Sequence, residues 1–207
     1  MSAREKSEIS DPAGAEGDLR DAALMARVQS GDEAALGSLM EQWELPVKRL
    51  LARIVLNASE AEELAQEAFV RLWQQREKFR AGAAFRPWLF SIAVNLARNR
   101  LRWWRTRPTV ALEDWDETAV QAPRESIGAA GLERTERAVA VRSAVAALPV
   151  DLREAVVLSE YEELSQAEIA NALGCTVKAV ESRIARAREK LRGALKQWVD
   201  GAGNSVR

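Results

Sequence analysis

Helical periodicity carries most of this chain and stops once, between residues 106 and 132, and that interruption decides the architecture. On either side of it apolar residues recur in steps of three and four, the spacing of one helix face, and nowhere alternate as in a strand. Inside it lie Pro108, Pro123, Gly128, Gly131 and the acidic run Glu113-Asp114-Trp115-Asp116-Glu117. That composition neither continues a helix nor supplies an apolar stripe, so it reads as a tether between domains. The expected fold class is all-α: two small helical domains joined by a flexible acidic linker. The boundaries read as a flexible tail 1–18, a first domain 19–105, the linker 106–132, a second domain 133–198 and a tail 199–207.

In the first domain the pattern predicts a helix from Asp18 to Gly31 and a second from Asp32 to Leu56, which Pro46 should kink or break. A third should begin at Ser59, where Ser59-x-x-Glu62 has the form of a capping box, with Ala61, Leu64, Ala65, Ala68, Phe69, Leu72 and Trp73 inward. A loop over 79–85 leads to a fourth helix with Pro87 in its first turn, running to Arg105. The second domain reads as four helices, near 133–147, 150–162, 166–173 and 177–198.

Charge excludes some chemistry and locates other chemistry. With no histidine there is no imidazole base or ligand, and a lone Cys175 forms no internal disulfide or multi-cysteine metal cluster. No catalytic constellation, metal site or cofactor motif is visible, so an enzyme is not expected. The longest uncharged stretch, Pro87 to Ala97, has eleven residues, too few to span a bilayer, and 1–11 has no apolar run of a secretory signal. A soluble, cytoplasmic protein is the expectation. The net charge of −1 conceals segregation: +4 over 21–107, −4 over 108–137 and +1 over 138–198. Arg98–Arg107 holds five arginines and no acid, and Thr176–Lys196 seven bases against two acids.

Residues 164–191 read as a helix-turn-helix, turning at Gly174. On the second helix Val177, Val180, Ile184, Ala187 and Leu191 face inward, which turns Lys178, Glu181, Ser182 and Arg186 outward with Arg183 on the flank. Such a helix enters a major groove, where Arg pairs with guanine and Glu accepts from cytosine; a helical hairpin with solvated arginines is the alternative. On the fourth helix Asn95, Arg98, Arg102 and Arg105 share a stripe away from the core, with Asn99 beside them. Amides and guanidinium groups near aromatics suit a single nucleic-acid strand. Trp43 and Trp73 fit the core, whereas Trp88 and Trp103 fit either core packing or base stacking.

The segments EELAQEAFVRLW at 62–73 and FRPWLFSIAVNLARN at 85–99 resemble region two of bacterial RNA polymerase sigma factors. LPVDLR at 148–153, LSQAEIA at 164–170 and VESRIARAR at 180–188 resemble region four. Two regions with only a tether between them resemble the extracytoplasmic-function group. The resemblance implies an alternative sigma factor that binds core RNA polymerase and directs it to promoters. Glu63, Gln66 and Glu67 would dock on the clamp helices of the largest polymerase subunit, and region four would meet the flap region of the polymerase. Phe79, Arg80, Trp88, Asn95, Arg98, Asn99 and Arg102 would hold the melted −10 element. Lys178, Glu181, Ser182, Arg183 and Arg186 would read the −35 element. An anti-sigma factor is the further partner implied, and no membrane insertion is.

Promoter elements two helical turns apart are separated by about 70 Å. The 27-residue tether stretches to about 90 Å but averages about 30 Å when free, so the isolated chain should be more compact than the bound one. A stand-alone helix-turn-helix regulator would use the same second domain but leaves the arginine stripe of the fourth helix unexplained. An all-helical adaptor without DNA explains neither basic block.

Overall fold

The computed structural model describes residues 15–106, 129–196 and 198. Residues 107–128 of the acidic tether, with Glu113, Asp114, Asp116 and Glu117, most of the first tail and all of the last one lie outside the described residues. Among the described residues there are eight α-helices, one short 3-10 turn and no strand.

The first body holds α1 (Ala15–Gln29), α2 (Glu33–Val55), α3 (Ala58–Gln74) and α4 (Phe85–Thr106). Leu39, Trp43, Val47, Leu50, Leu51 and Ile54 of α2 meet Leu64, Phe69 and Leu72 of α3 and Leu89, Phe90 and Ala93 of α4, all buried. Trp43 is the hub: its ring stands edge-on to Phe85 at 6.0 Å and Phe90 at 5.9 Å. Its indole N–H cannot reach water, and it donates to Asp21 Oδ2 at 3.0 Å while Gln42 Nε2 donates to Oδ1 at 2.9 Å. Burial pushes the Asp21 carboxyl above the usual range, and those two donors pull it back. Asp21→Ala would leave the buried indole donor unpaired. It should destabilise the first body by about 1–3 kcal/mol, read as a lowered thermal midpoint with helix content unchanged before the transition.

One local expectation is narrowed and another corrected. Pro46 sits within one continuous α2, so it does not break the helix; buried Trp43 and Val47 on either side of it anchor both halves to the same core, and that packing outweighs the one backbone bond a proline removes. The third helix does not start from a Ser59 capping box. Asn57 is the N-cap, its side chain accepting from Glu60 N at 2.9 Å, so Ser59 already lies inside the first turn.

The second body holds α5 (Ala129–Ala146), α6 (Val150–Glu160), α7 (Gln166–Leu173) and α8 (Val177–Ala194). Here the Ser165–Glu168 capping box forms reciprocally: Glu168 N donates to Ser165 Oγ at 3.3 Å and Ser165 N to Glu168 Oε2 at 2.8 Å. Gly174 closes α7 at φ 61°, a left-handed position that glycine takes at no steric cost. Thr176 then caps α8 by accepting from Ala179 N at 3.2 Å. The two bodies pack together, α4 on α7 and α2 on α6. Among the described residues no helix is long and apolar enough to cross a membrane.

Candidate nucleic-acid and polymerase interfaces

On the first body, α3 and α4 flank a half-open pocket of about 230 Å³ lined by Arg71, Gln75, Trp88, Ser91, Asn95 and Asn99, with Ile92 and Leu96 as its apolar floor. The loop beside it is held from two directions. Gln29 Nε2 donates to the carbonyls of Arg76 at 3.0 Å and Phe79 at 2.8 Å, tying the loop to the end of α1. Phe79 packs at 5.1 Å on Trp88 and 6.1 Å on Phe85. Phe79 is thus buried, 5% exposed, which corrects its expected place on the DNA side of the loop. An aromatic at the loop's entrance closes the core better than it waits in water. Arg80 is exposed at the loop's start.

Trp88 is half-buried, packed on Phe79 and also part of the pocket wall. Trp103 is 41% exposed near the end of α4. Asn95, Asn99 and Arg102 are exposed along one stripe of α4, a row of amide donors and acceptors followed by a cation. Arg98, expected with them, is half-buried and turned to the second body, where it pairs with Glu154. Arg71 and Gln75 were not singled out in the sequence. Arg71 lies one turn after Glu67 on α3 and Gln75 caps the end of that helix, and only the tertiary packing of α3 on α4 makes them neighbours of Asn95.

Farther along α3, Glu63 and Gln66 are exposed and Val70 beside them is 54% exposed. Glu67 is half-buried and paired with Arg71 at 3.2 Å, which draws it toward the pocket wall. Arg100 of α4 pairs with Glu60 and lies 3.7 Å from Glu63, fixing α3 on α4. An apolar side chain flanked by an acid and an amide is suited to a protein partner with a basic rim.

On the second body, Val180, Ile184 and Ala187 anchor α8 in the core. Val177, expected inward, is 42% exposed; at the first position of α8 it projects beyond the end of the packed face. Lys178, Glu181, Ser182 and Arg186 are exposed together with Ala185 between them. Arg186 donates from Nε to the Ser182 carbonyl at 3.2 Å, which aims its two terminal nitrogens outward. Arg183 is half-buried instead, 4.0 Å from Asp151 and 3.8 Å from Cys175 Sγ, so it braces the turn. Among the described residues no group of acids and cysteine is arranged to hold a metal ion.

The matches to known proteins cover both bodies. Residues 39–106 match the family described as Sigma-70 region 2, and 138–191 that described as Sigma-70, region 4. The chain is 37% identical over 185 residues to the RNA polymerase sigma-H factor of Pseudomonas aeruginosa, covering 85% of this chain and 94% of that one. It is 35% identical over 183 residues to the ECF RNA polymerase sigma-E factor of Escherichia coli K12, covering 84% and 93%. The solved structure of CnrH in complex with the cytosolic domain of CnrY superposes with a TM-score of 0.62 at 29% identity, over 86% of this chain and 98% of that one.

Proposed function

The chain belongs to the extracytoplasmic-function group of RNA polymerase sigma factors, and from that premise we propose how its residues divide the work of promoter-specific initiation. It is an alternative sigma factor, a transcription initiation factor that directs polymerase to promoters. Glu63, Gln66 and Val70 dock α3 on the clamp helices of the largest polymerase subunit. Glu67 acts through Arg71, holding the wall of the α3–α4 pocket. The second body meets the polymerase flap region.

The pocket supports the −10 assignment best. Its volume of about 230 Å³ suits one unstacked base, and its wall offers the faces such a base needs: an indole to stack on, and the amides of Gln75, Asn95 and Asn99 for its edge. A flipped base costs a few kcal/mol of stacking, offset by those contacts. Arg80 and Arg102 lie on either side of it along the chain and follow phosphates. On α8, Lys178, Glu181, Ser182 and Arg186 read the −35 element in the major groove, while Arg183 sets the angle of the helix. The protein acts in the cytoplasm, where its polymerase is, and an anti-sigma factor is its expected inhibitor.

Run-off transcription with purified core polymerase on a genomic library tests the whole assignment. Initiation at a defined set of promoters should appear only when this chain is added. Tight duplex binding by the chain alone, without polymerase-dependent initiation, would make it a stand-alone regulator instead.

A further inference from the structure

The loop from α3 to α4 leaves the core through a tight turn whose backbone bonds are local. Lys78 N donates to the Gln75 carbonyl at 2.8 Å, Phe79 N to the Arg76 carbonyl at 3.2 Å and Ala83 N to the Arg80 carbonyl at 3.0 Å. From Arg80 to Ala84 the chain is exposed, and Ala81, Gly82, Ala83 and Ala84 are small residues with little to bury. The side chain that orients the turn comes from elsewhere. Gln29, the last residue of α1, donates from Nε2 to the Arg76 carbonyl at 3.0 Å and to the Phe79 carbonyl at 2.8 Å, across 47 and 50 residues of sequence.

None of the residues lining the α3–α4 pocket belongs to α1. That helix is nevertheless firmly seated: Met25 and Val28 are fully buried, and Asp21 holds the Trp43 indole. Gln29 carries this fixed position to the turn. The two carbonyls it holds stand between Gln75, in the pocket wall, and Arg80, where the exposed loop begins. The Phe79 carbonyl, in the peptide unit that leads into Arg80, takes its donor from Gln29. A loop with so few side-chain anchors would otherwise lose backbone freedom on meeting a strand, and that loss weakens binding. A loop already held in place avoids it.

We propose that Gln29 is a positioning residue for −10 capture: through the Arg76 and Phe79 carbonyls it fixes the turn that places Gln75 and Arg80 before DNA arrives. The proposal rests on the −10 reading of the pocket and adds to it a residue outside the pocket, on a helix with no part in its wall. The role needs a donor with two hydrogens, which an amide has. A carboxylate in its place would set acceptors against acceptors.

The test is binding of a single-stranded oligonucleotide, carrying the −10 element of a promoter found by run-off transcription, to the chain assembled on core polymerase. Gln29→Glu keeps the size of the side chain and should weaken this binding about tenfold, the cost of ordering about one residue of backbone. Assembly with core polymerase and binding to a −35 duplex should stay at wild-type strength. Gln29→Leu, with no polar group, should act in the same direction if the first variant folds poorly. Coupling gives the readout that a merely structural role would not move. Arg80→Ala removes an exposed side chain, and in its background a Gln29 variant should lose clearly less affinity than in the wild type, because one of the two groups it places is gone. Wild-type affinity in both folded Gln29 variants would overturn the proposal, as would losses that simply multiply with that of Arg80→Ala. Asn95→Ala probes the −10 reading itself. If it weakens oligonucleotide binding while the Gln29 variants do not, the positioning role alone falls. If it binds as tightly as wild type, the pocket is not the −10 site and the proposal falls with that reading.

Discussion

Arg186→Ala lowers initiation at a cognate promoter by about 5- to 150-fold, the span expected when a paired arginine–guanine contact of about 1–3 kcal/mol is removed. The packing of α8 sets the direction of this side chain. Val180, Ile184 and Ala187 hold one face in the core, which leaves Arg186 exposed on the opposite face. Its Nε bonds the Ser182 carbonyl, so the side chain keeps a fixed aim and loses little freedom when its terminal nitrogens meet a base. The loss should be confined to one base pair: swapping that pair should leave the variant's output unchanged while the wild type falls to the variant's level. A loss of equal size on every −35 sequence would instead mark Arg186 as a phosphate contact, which positions the helix without reading sequence. Polymerase binding in the absence of promoter should not change. Arg183→Ala provides the contrast. Its guanidinium is already engaged with Asp151 and Cys175, so its effect should be smaller and similar across promoters.

The same residues mark where sequence reasoning reached and where it stopped. Periodicity placed α7 at its observed bounds, because it carries both a capping box and a Gly174 stop, signals written within a few residues, whereas α5 begins at Ala129 rather than 133 and α8 ends at Ala194 rather than 198. It misjudged the start of α3, where two capping side chains compete. Asn57 and Ser59 are both good N-caps, and the choice between them depends on how the preceding turn at Leu56, with φ 61°, delivers the chain. The motif resemblance placed α4's amide stripe beside the loop. It could not show that Phe79 closes the core, because a loop aromatic has no periodicity to betray its direction. Nor could it reveal that Arg98 turns away from Asn95 and Asn99. Its partner Glu154 is 56 residues distant, and no local pattern carries information over that separation. What a residue does alone was legible. What it does through a neighbour from the other body was not.

That distinction bears most on α3. The family resemblance treats Glu63, Gln66 and Glu67 as one docking set, but the structure divides them. Glu67 pairs with Arg71, which lines the pocket, while Glu63 and Gln66 share their surface with Val70, 54% exposed. A β-branched apolar side chain left in water at the centre of a polar face gains from burial only when a partner covers it. Val70→Asp should therefore weaken assembly with core polymerase by about 30-fold or more, the loss associated with a central interface anchor. Since Val70 makes no part of the core, the thermal midpoint should stay within the shift of an ordinary surface change, about 0.5 kcal/mol. Titration of labelled chain with core polymerase reads the first quantity and thermal unfolding the second. Promoter output should fall in step with assembly and recover when polymerase is raised, because the DNA-contacting residues are untouched. An assembly constant equal to wild type would show that polymerase docks elsewhere, and would return Glu63 and Gln66 to the solvated surface of α3.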